Sequence, residues 1–177
     1  MGRMFMRRQF TPAVWSIAAL LAMDLQPLRA DEPVPAVKIA LFAFELDDRS
    51  AAGGLIARDA IDDENLTKAT DEARKALAAS GRVAVVDTAP VASELASAGG
   101  IRHCEGCEAG LGRKLGADRS MIGLFARVSR TEYTLQIIVR DAGTGAVLSN
   151  AFSGLRMGAN YAWPRAVASL IGDKILQ

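Results

Sequence analysis

From Val37 onward the chain alternates apolar runs with short polar breaks. Val37 to Phe44 is apolar except for Lys38, the pattern of a central strand covered on both faces. Glu45 to Asp63 is polar, contains Gly53-Gly54, and predicts a long loop or partly helical excursion beyond that strand's C-terminal end, where ligands often sit in sheets flanked by helices. Leu66, Ala69, Ala73, Ala76, Leu77 and Ser80 then share one helical face, Lys68, Glu72, Arg74 and Lys75 point away, and Gly81 offers a left-handed stop.

A short strand is expected over Val83 to Val86, then a brief helix over Val91 to Ala98 and another over Glu108 to Leu115, ended by Gly116. The period changes to two at Met121. Ile122, Leu124, Ala126 and Val128 share one face, and Tyr133, Leu135, Ile137 and Val139 resume the alternation after Thr131-Glu132, which reads as a hairpin. The turn Asp141 to Gly145 leads into a third meander strand, Ala146 to Ser153. A final helix sends Trp163, Val167, Leu170, Ile171 and Ile175 inward, with Pro164 in its first turn, where a missing donor costs little.

The order β-α-β-α-α-β-β-β-α predicts a mixed α/β domain over 37–177 with helices packed on a five-stranded mixed sheet. A right-handed crossover gives strand order 2-1-3-4-5, with the first three strands parallel and the last three antiparallel.

The first thirty residues follow a different rule. Arg3, Arg7 and Arg8 precede an apolar run from Phe10 to Met23, the n-region and h-region of an export signal. At 14 residues, broken by Thr11, Pro12 and Ser16, the run falls short of the roughly 20 needed to span a bilayer. Cleavage is expected after Ala30, leaving no integral membrane segment, and Asp31 to Ala36, with two prolines, reads as an exposed leader. Arg7-Arg8-Gln9-Phe10 resembles a twin-arginine signal, but Met6, Thr11 and Pro12 depart from its fuller pattern, so the general secretory route to the periplasm is the expectation.

Without residues 1–30 the chain has 147 residues, 17 Lys and Arg, and 19 Asp and Glu, a formal charge of −2. That length suits one self-sufficient core. No basic stripe with interleaved aromatics is present, which argues against a nucleic-acid partner.

Cys104 and Cys107 are the only cysteines. In an oxidising compartment such a pair reads first as a structural disulfide. The second reading is a thiol-redox site, with Cys104 attacking and Cys107 resolving; Glu105 and Glu108 oppose a thiolate there. The sole histidine, His103, precedes the pair, whereas haem attachment needs a histidine after it, and no further cysteine pair completes a zinc site. His103 beside Cys104 lacks a third catalytic member and an oxyanion hole, so it reads as an exposed loop histidine. Asp47, Asp48, Asp59, Asp62, Asp63 and Glu64 are the right ligand type for calcium, but their spacing matches no EF-hand, and a solvated, helix-capping stretch is the expectation. Asp141 with Thr144-Gly145 reads as a turn. Gly110-Leu111-Gly112 lacks the rest of a dinucleotide fingerprint. No cofactor or metal is expected.

Several phrases carry a resemblance: Ala40 to Leu46, Ser80 to Asp87, Leu115-Gly116-Ala117-Asp118, and Asp141 to Gly145. They resemble the amino-terminal domain of the TolB translocation protein and the curli-secretion lipoprotein family. With Cys104 to Glu108 and Trp163 included, residues 37 to 176 are more similar still to a family of small exported proteobacterial proteins of unknown function. The resemblance implies a non-catalytic periplasmic module that binds another envelope protein. Members of the closer family are sometimes encoded beside periplasmic quinoprotein alcohol-oxidation systems, which implies an accessory role in such a system. The propeller of TolB, and the lipidated cysteine and pore-forming strands of the curli protein, have no counterpart in the sequence.

Overall fold

The computed structural model describes residues 36–51, 53, 60–129, 131–156 and 163–177. The expected export signal and all but the last residue of the leader lie outside the described residues. The described elements are β1 (Val37–Leu41), β2 (Glu45–Asp48), α1 (Ala60–Ala79), β3 (Val83–Val86), α2 (Ala92–Ser97), α3 (Cys107–Lys114), β4 (Arg119–Arg127), β5 (Glu132–Asp141), β6 (Val147–Arg156) and α4 (Trp163–Lys174). Single 3-10 turns at Ala89–Val91 and Ile101–His103 precede α2 and α3.

The sheet runs β3-β1-β4-β5-β6, which is the expected order. β1 pairs in parallel with β3 and β4, while β4, β5 and β6 form an antiparallel meander. The sheet has six strands, one more than expected, because Glu45–Asp48 forms β2 rather than a loop and pairs in parallel with β4. The first strand also ends at Leu41 instead of Phe44.

Both differences have one cause. β1 meets β4 with Leu41 opposite Met121, and β2 meets it with Glu45 opposite Leu124, so three residues on one side face two on the other. This is the geometry of a bulge, which kinks a strand and re-aims its side chains. Phe42 and Phe44 are consequently buried in opposite core clusters, on the two faces of the sheet, while Ala43 between them is exposed.

α1 and α4 cover one face. Leu66, Ala69, Ala73 and Leu77 pack there against Ile39, Leu41, Met121, Leu135 and Ile137, each at most 5% exposed. Trp163, at the start of α4, stacks on Phe125 with ring centroids 4.0 Å apart. Gly81 (φ +66°) stops the chain after α1, as expected. On the other face Val91, Ile101 and Leu111 of the α2–α3 layer pack on Ala40, Phe42 and Ile122. That layer stops short of the meander's outer strand, and Phe152 of β6 stays 63% exposed.

Asp118 ties the sheet's centre together. Its carboxylate accepts the Lys38 amide at 2.8 Å, while its own amide donates to the Lys38 carbonyl at 2.9 Å. The Gly-Ala-Asp phrase thus serves the β1–β4 junction, with Gly116 (φ +71°) turning the chain out of α3.

Candidate functional site

The cysteine pair lies between two elements that the sheet holds in place. Glu45 on β2 accepts the Ile101 amide at 2.7 Å, the Arg102 amide at 3.3 Å and Arg102 Nε at 3.3 Å. A Cβ on Gly100 (φ +83°) would lie 2.6 Å from Glu45 Oε1, so a side chain at that position would expel the carboxylate. This clasp seats the 3-10 turn that delivers Cys104. Cys107 is the first residue of α3, whose Leu111 and Gly112 pack on β4.

Cys104 and Cys107 are joined in a disulfide, Cα atoms 5.1 Å apart. Between them Glu105 (φ +45°) and Gly106 (φ +100°) both take left-handed backbone, which folds the linking peptide tightly enough for the bridge. Both cysteines are half-buried, whereas Glu105 and His103 are exposed. His103 packs its side chain near Gly99, as an exposed loop histidine does.

Beneath the bridge lies a buried ion pair. Glu108, 1% exposed, accepts a 2.8 Å hydrogen bond from Arg140 Nε on β5 through Oε1. Its Oε2 approaches Cys104 Sγ at 3.4 Å. The Arg140 guanidinium also donates to the Gly145 carbonyl and lies against Gly106, whose Cβ position is 3.6 Å from the guanidinium carbon. The charge of Glu108, read from sequence as opposing a thiolate, is therefore balanced by a cation. Sequence reasoning missed this pair because Arg140 sits 32 residues away, at an alternate position of β5 where a charged residue suits solvent.

Two clefts adjoin the loop. One, of about 440 Å³, lies between Glu94 and Ala98 on one side and Cys107, Gly110, Leu111 and Arg113 on the other. The second, of about 520 Å³, opens where β1 and β3 end and is lined by Phe42, Glu45, Thr88, Leu95 and Gly99, among others. The polar stretch after β1 thus borders a cleft, but its carboxylate is spent on the clasp.

The remaining candidates resolve into structural roles. Asp48 and Asp62 both bind Arg127, Asp48 at 2.9 Å, and Arg127 also donates to Tyr133 Oη at 3.0 Å and lies over that ring. Asp47 pairs with Arg49 and Glu64 with Lys68, each at 2.5 Å. The acidic stretch is therefore partly buried in ion pairs rather than wholly solvated, and Asp59 lies outside the described residues. Among the described residues no three His, Cys, Asp or Glu side chains converge as metal ligands would. Hydrogen bonds from Ser50 and the nearby Arg127 hold the Asp48 carboxyl below its ordinary range. Asp141 Oδ1 accepts the Thr144 amide at 2.7 Å and its hydroxyl at 2.9 Å, which lowers that carboxyl too and makes this the expected turn. Gly112 lets α3 approach Ser120 and Ala40, with Cβ distances of 3.4 and 3.5 Å, a packing role with no phosphate loop.

No helix among the described residues is long and apolar enough to cross a membrane. No curated protein matches the chain in sequence. Among solved structures the chain is similar to the lipoprotein GNA1162 from Neisseria meningitidis (15% identity, TM-score 0.49, 78% of this chain and 98% of that one). It is similar to the LpoB C-terminal domain from Escherichia coli (15% identity, TM-score 0.47, 69% and 84%). It is also similar to TolB from Acinetobacter baumannii (16% identity, TM-score 0.45), covering 81% of this chain and 29% of that one. A family model described as "Protein of unknown function (DUF2380)" matches residues 37–175, nearly the whole of the folded sheet and its helices, and the chain belongs to that family, DUF3280.

Proposed function

We propose that the chain is a non-catalytic binding module of the bacterial envelope, exported to the periplasm by a signal in residues 1–30 and folding over 37–177 as one domain. Its partner is another envelope protein, and its role is accessory, in support of a periplasmic oxidation system.

The observation that carries this reading is the uncovered part of the sheet. Phe152, Gln136 and Leu124 form a row across β6, β5 and β4, on the face that α2 and α3 cover only in part. Phe152 is 63% exposed on it, and Val147 and Leu148 on the same strand are 49% and 50% exposed. Large apolar side chains left exposed along an edge strand offer a candidate protein-docking surface. β6 also carries no charged residue or proline from Val147 to Leu155, the devices that normally blunt a strand at a sheet edge.

A photo-crosslinking side chain placed at position 152, activated in intact cells, tests the reading. A discrete adduct with an envelope protein is expected, and mass spectrometry of that adduct tests the link to an oxidation system. Probes at 148 and 152 that both yield no adduct above a probe placed in exposed α1 would refute it.

A further inference from the structure

We infer that the Cys104–Cys107 bridge is a redox-labile disulfide, opened by a thiol reductant, and that Glu108 is the positioning residue favouring its dithiol form. The inference rests on the buried carboxylate and is independent of the binding surface on β6.

Glu108 is 1% exposed, and an ionised carboxylate only accepts hydrogen bonds. Its Oε1 is satisfied by Arg140 Nε at 2.8 Å. Among the described residues the only polar partner of Oε2 is Cys104 Sγ, at 3.4 Å, within reach of a sulfur hydrogen bond. A disulfide sulfur carries no proton. In the oxidised protein that buried oxygen faces an atom with nothing to donate, and a buried acceptor left without a donor costs free energy. When the bridge is opened, Cys104 gains an S–H at the place where Oε2 waits for one. Arg140 supplies the cation that lets the carboxylate remain in the interior in both states, since a buried charge needs a partner. The oxidised state therefore leaves an acceptor unmatched that the reduced state satisfies. A contact present only in the reduced state shifts the equilibrium toward it, the logic by which stabilising a dithiol makes a disulfide more oxidising.

The bridge itself adds little to hold it closed. It links residues three apart, and the chain-entropy model assigns so short a loop only a modest stabilisation. Glu105 also sits in left-handed backbone that a non-glycine residue rarely adopts. Cys107 lines the cleft of about 440 Å³ beside α3, so the bridge adjoins open space.

The exchange balances with two thiols, or one dithiol, as reductant. The first thiolate attacks one sulfur, breaking the S–S bond and forming a mixed disulfide. The second attacks the reductant's own sulfur in that mixed disulfide, forming the reductant's disulfide and freeing the protein. Two electrons pass to the protein, and two protons end on Cys104 and Cys107, the former pointing its S–H at Glu108 Oε2. Because Glu108 favours the thiol over the thiolate at Cys104, the pair is a responder to thiol reductants rather than a fast catalyst of exchange.

Equilibration of the purified protein in glutathione redox buffers, with alkylation and mass spectrometry of the cysteines, tests this. The pair is expected to pass through half-reduction within the accessible range, where structural disulfides stay closed. Glu108→Gln is expected to lower the equilibrium constant for reduction at least tenfold, and Glu105→Gln much less. A bridge that stays closed in the most reducing glutathione mixture, an unchanged constant in Glu108→Gln, or an equal change in Glu105→Gln would overturn the inference. Where Glu108→Gln fails to fold, the wild-type protein decides: the carbon-13 resonance of the Glu108 carboxyl moves on reduction, and a resonance that does not move rejects the proposal.

Discussion

The ring of Phe44 lies where a side chain on Gly123 would have to be. A Cβ built on Gly123 would come within 2.5 Å of three Phe44 ring atoms, and Phe44 is 3% exposed, so the buried ring would have to shift. The bulge between β1 and β2 aims the ring there, and β4 accommodates it by carrying no side chain at that point.

Gly123→Ala is therefore expected to destabilise the fold by about 1–3 kcal/mol, the usual cost of overpacking a filled core. Urea unfolding followed by circular dichroism measures it. A substitution at exposed Gly154, whose Cβ would meet nothing within 4 Å, serves as the comparison and is expected to cost less.

Trp163 ties α4 to the sheet. It is 2% exposed, stacked on Phe125 at 4.0 Å and tilted against Tyr133 at 5.6 Å. Trp163→Ala is expected to cost about 3–5 kcal/mol. In a chain beginning at Asp31 it is the sole tryptophan, so native emission should be blue-shifted and move to the red in the same transition that circular dichroism reports. Emission already red in the native protein would contradict its burial.

Asp48 supplies a pH signature. Its carboxyl is held below the ordinary 3.8 by hydrogen bonds from Ser50 and, secondarily, by Arg127. A carboxyl depressed in the folded state adds stability above its unfolded pKa and loses it as pH falls through the folded value. Ser50→Ala is thus expected to be less stable than wild type at neutral pH, with the gap closing below about pH 4. Parallel stability curves down to pH 2 would remove Asp48 as the cause. A carboxyl titration by NMR gives the direct check: the Asp48 midpoint should rise in Ser50→Ala.

The proposed docking surface on β6 is testable by substitution. Phe152→Glu replaces a side chain 63% exposed, so its stability should stay within about 0.5 kcal/mol of wild type while crosslinking from position 148 is lost. Retained crosslinking in a folded Phe152→Glu protein would move the docking site elsewhere.

The alternation of Tyr133, Leu135, Ile137 and Val139 made β5 legible, and the spacing of Leu66 to Leu77 made α1 legible. In β4 the alternation found the strand but not its burial, because both faces are covered, with Met121 and Phe125 in one cluster and Ile122 in the other, and Val128 is left exposed. β2 was not legible. Glu45-Leu46-Asp47-Asp48 offers one apolar residue, and Leu46 is in the core only because the bulge restores the register with β4. Three of its polar side chains are drawn inward by partners distant in sequence: Glu45 by Ile101 and Arg102, Asp48 by Arg127, and Asp47 by Arg102. Such pairings leave no local pattern. The same holds at the cysteine loop, where the motif was plain but the buried Glu108–Arg140 pair beneath it depended on α3 packing on β4, whose Ser120 lies opposite Arg140.

The centre of the sheet has a consequence for the order in which the chain can fold. Lys38 and Asp118, whose backbones join β1 to β4, are 80 residues apart, so the middle strand has no neighbour on that side until two thirds of the polypeptide has emerged. A chain that emerges amino-terminus first presents β1 long before β4 arrives. During that interval β1 can pair only with β3 and its other edge stays open, the kind of apolar edge that holding chaperones protect. Slow, late closure of this kind is what long-range parallel pairing imposes on any sequence.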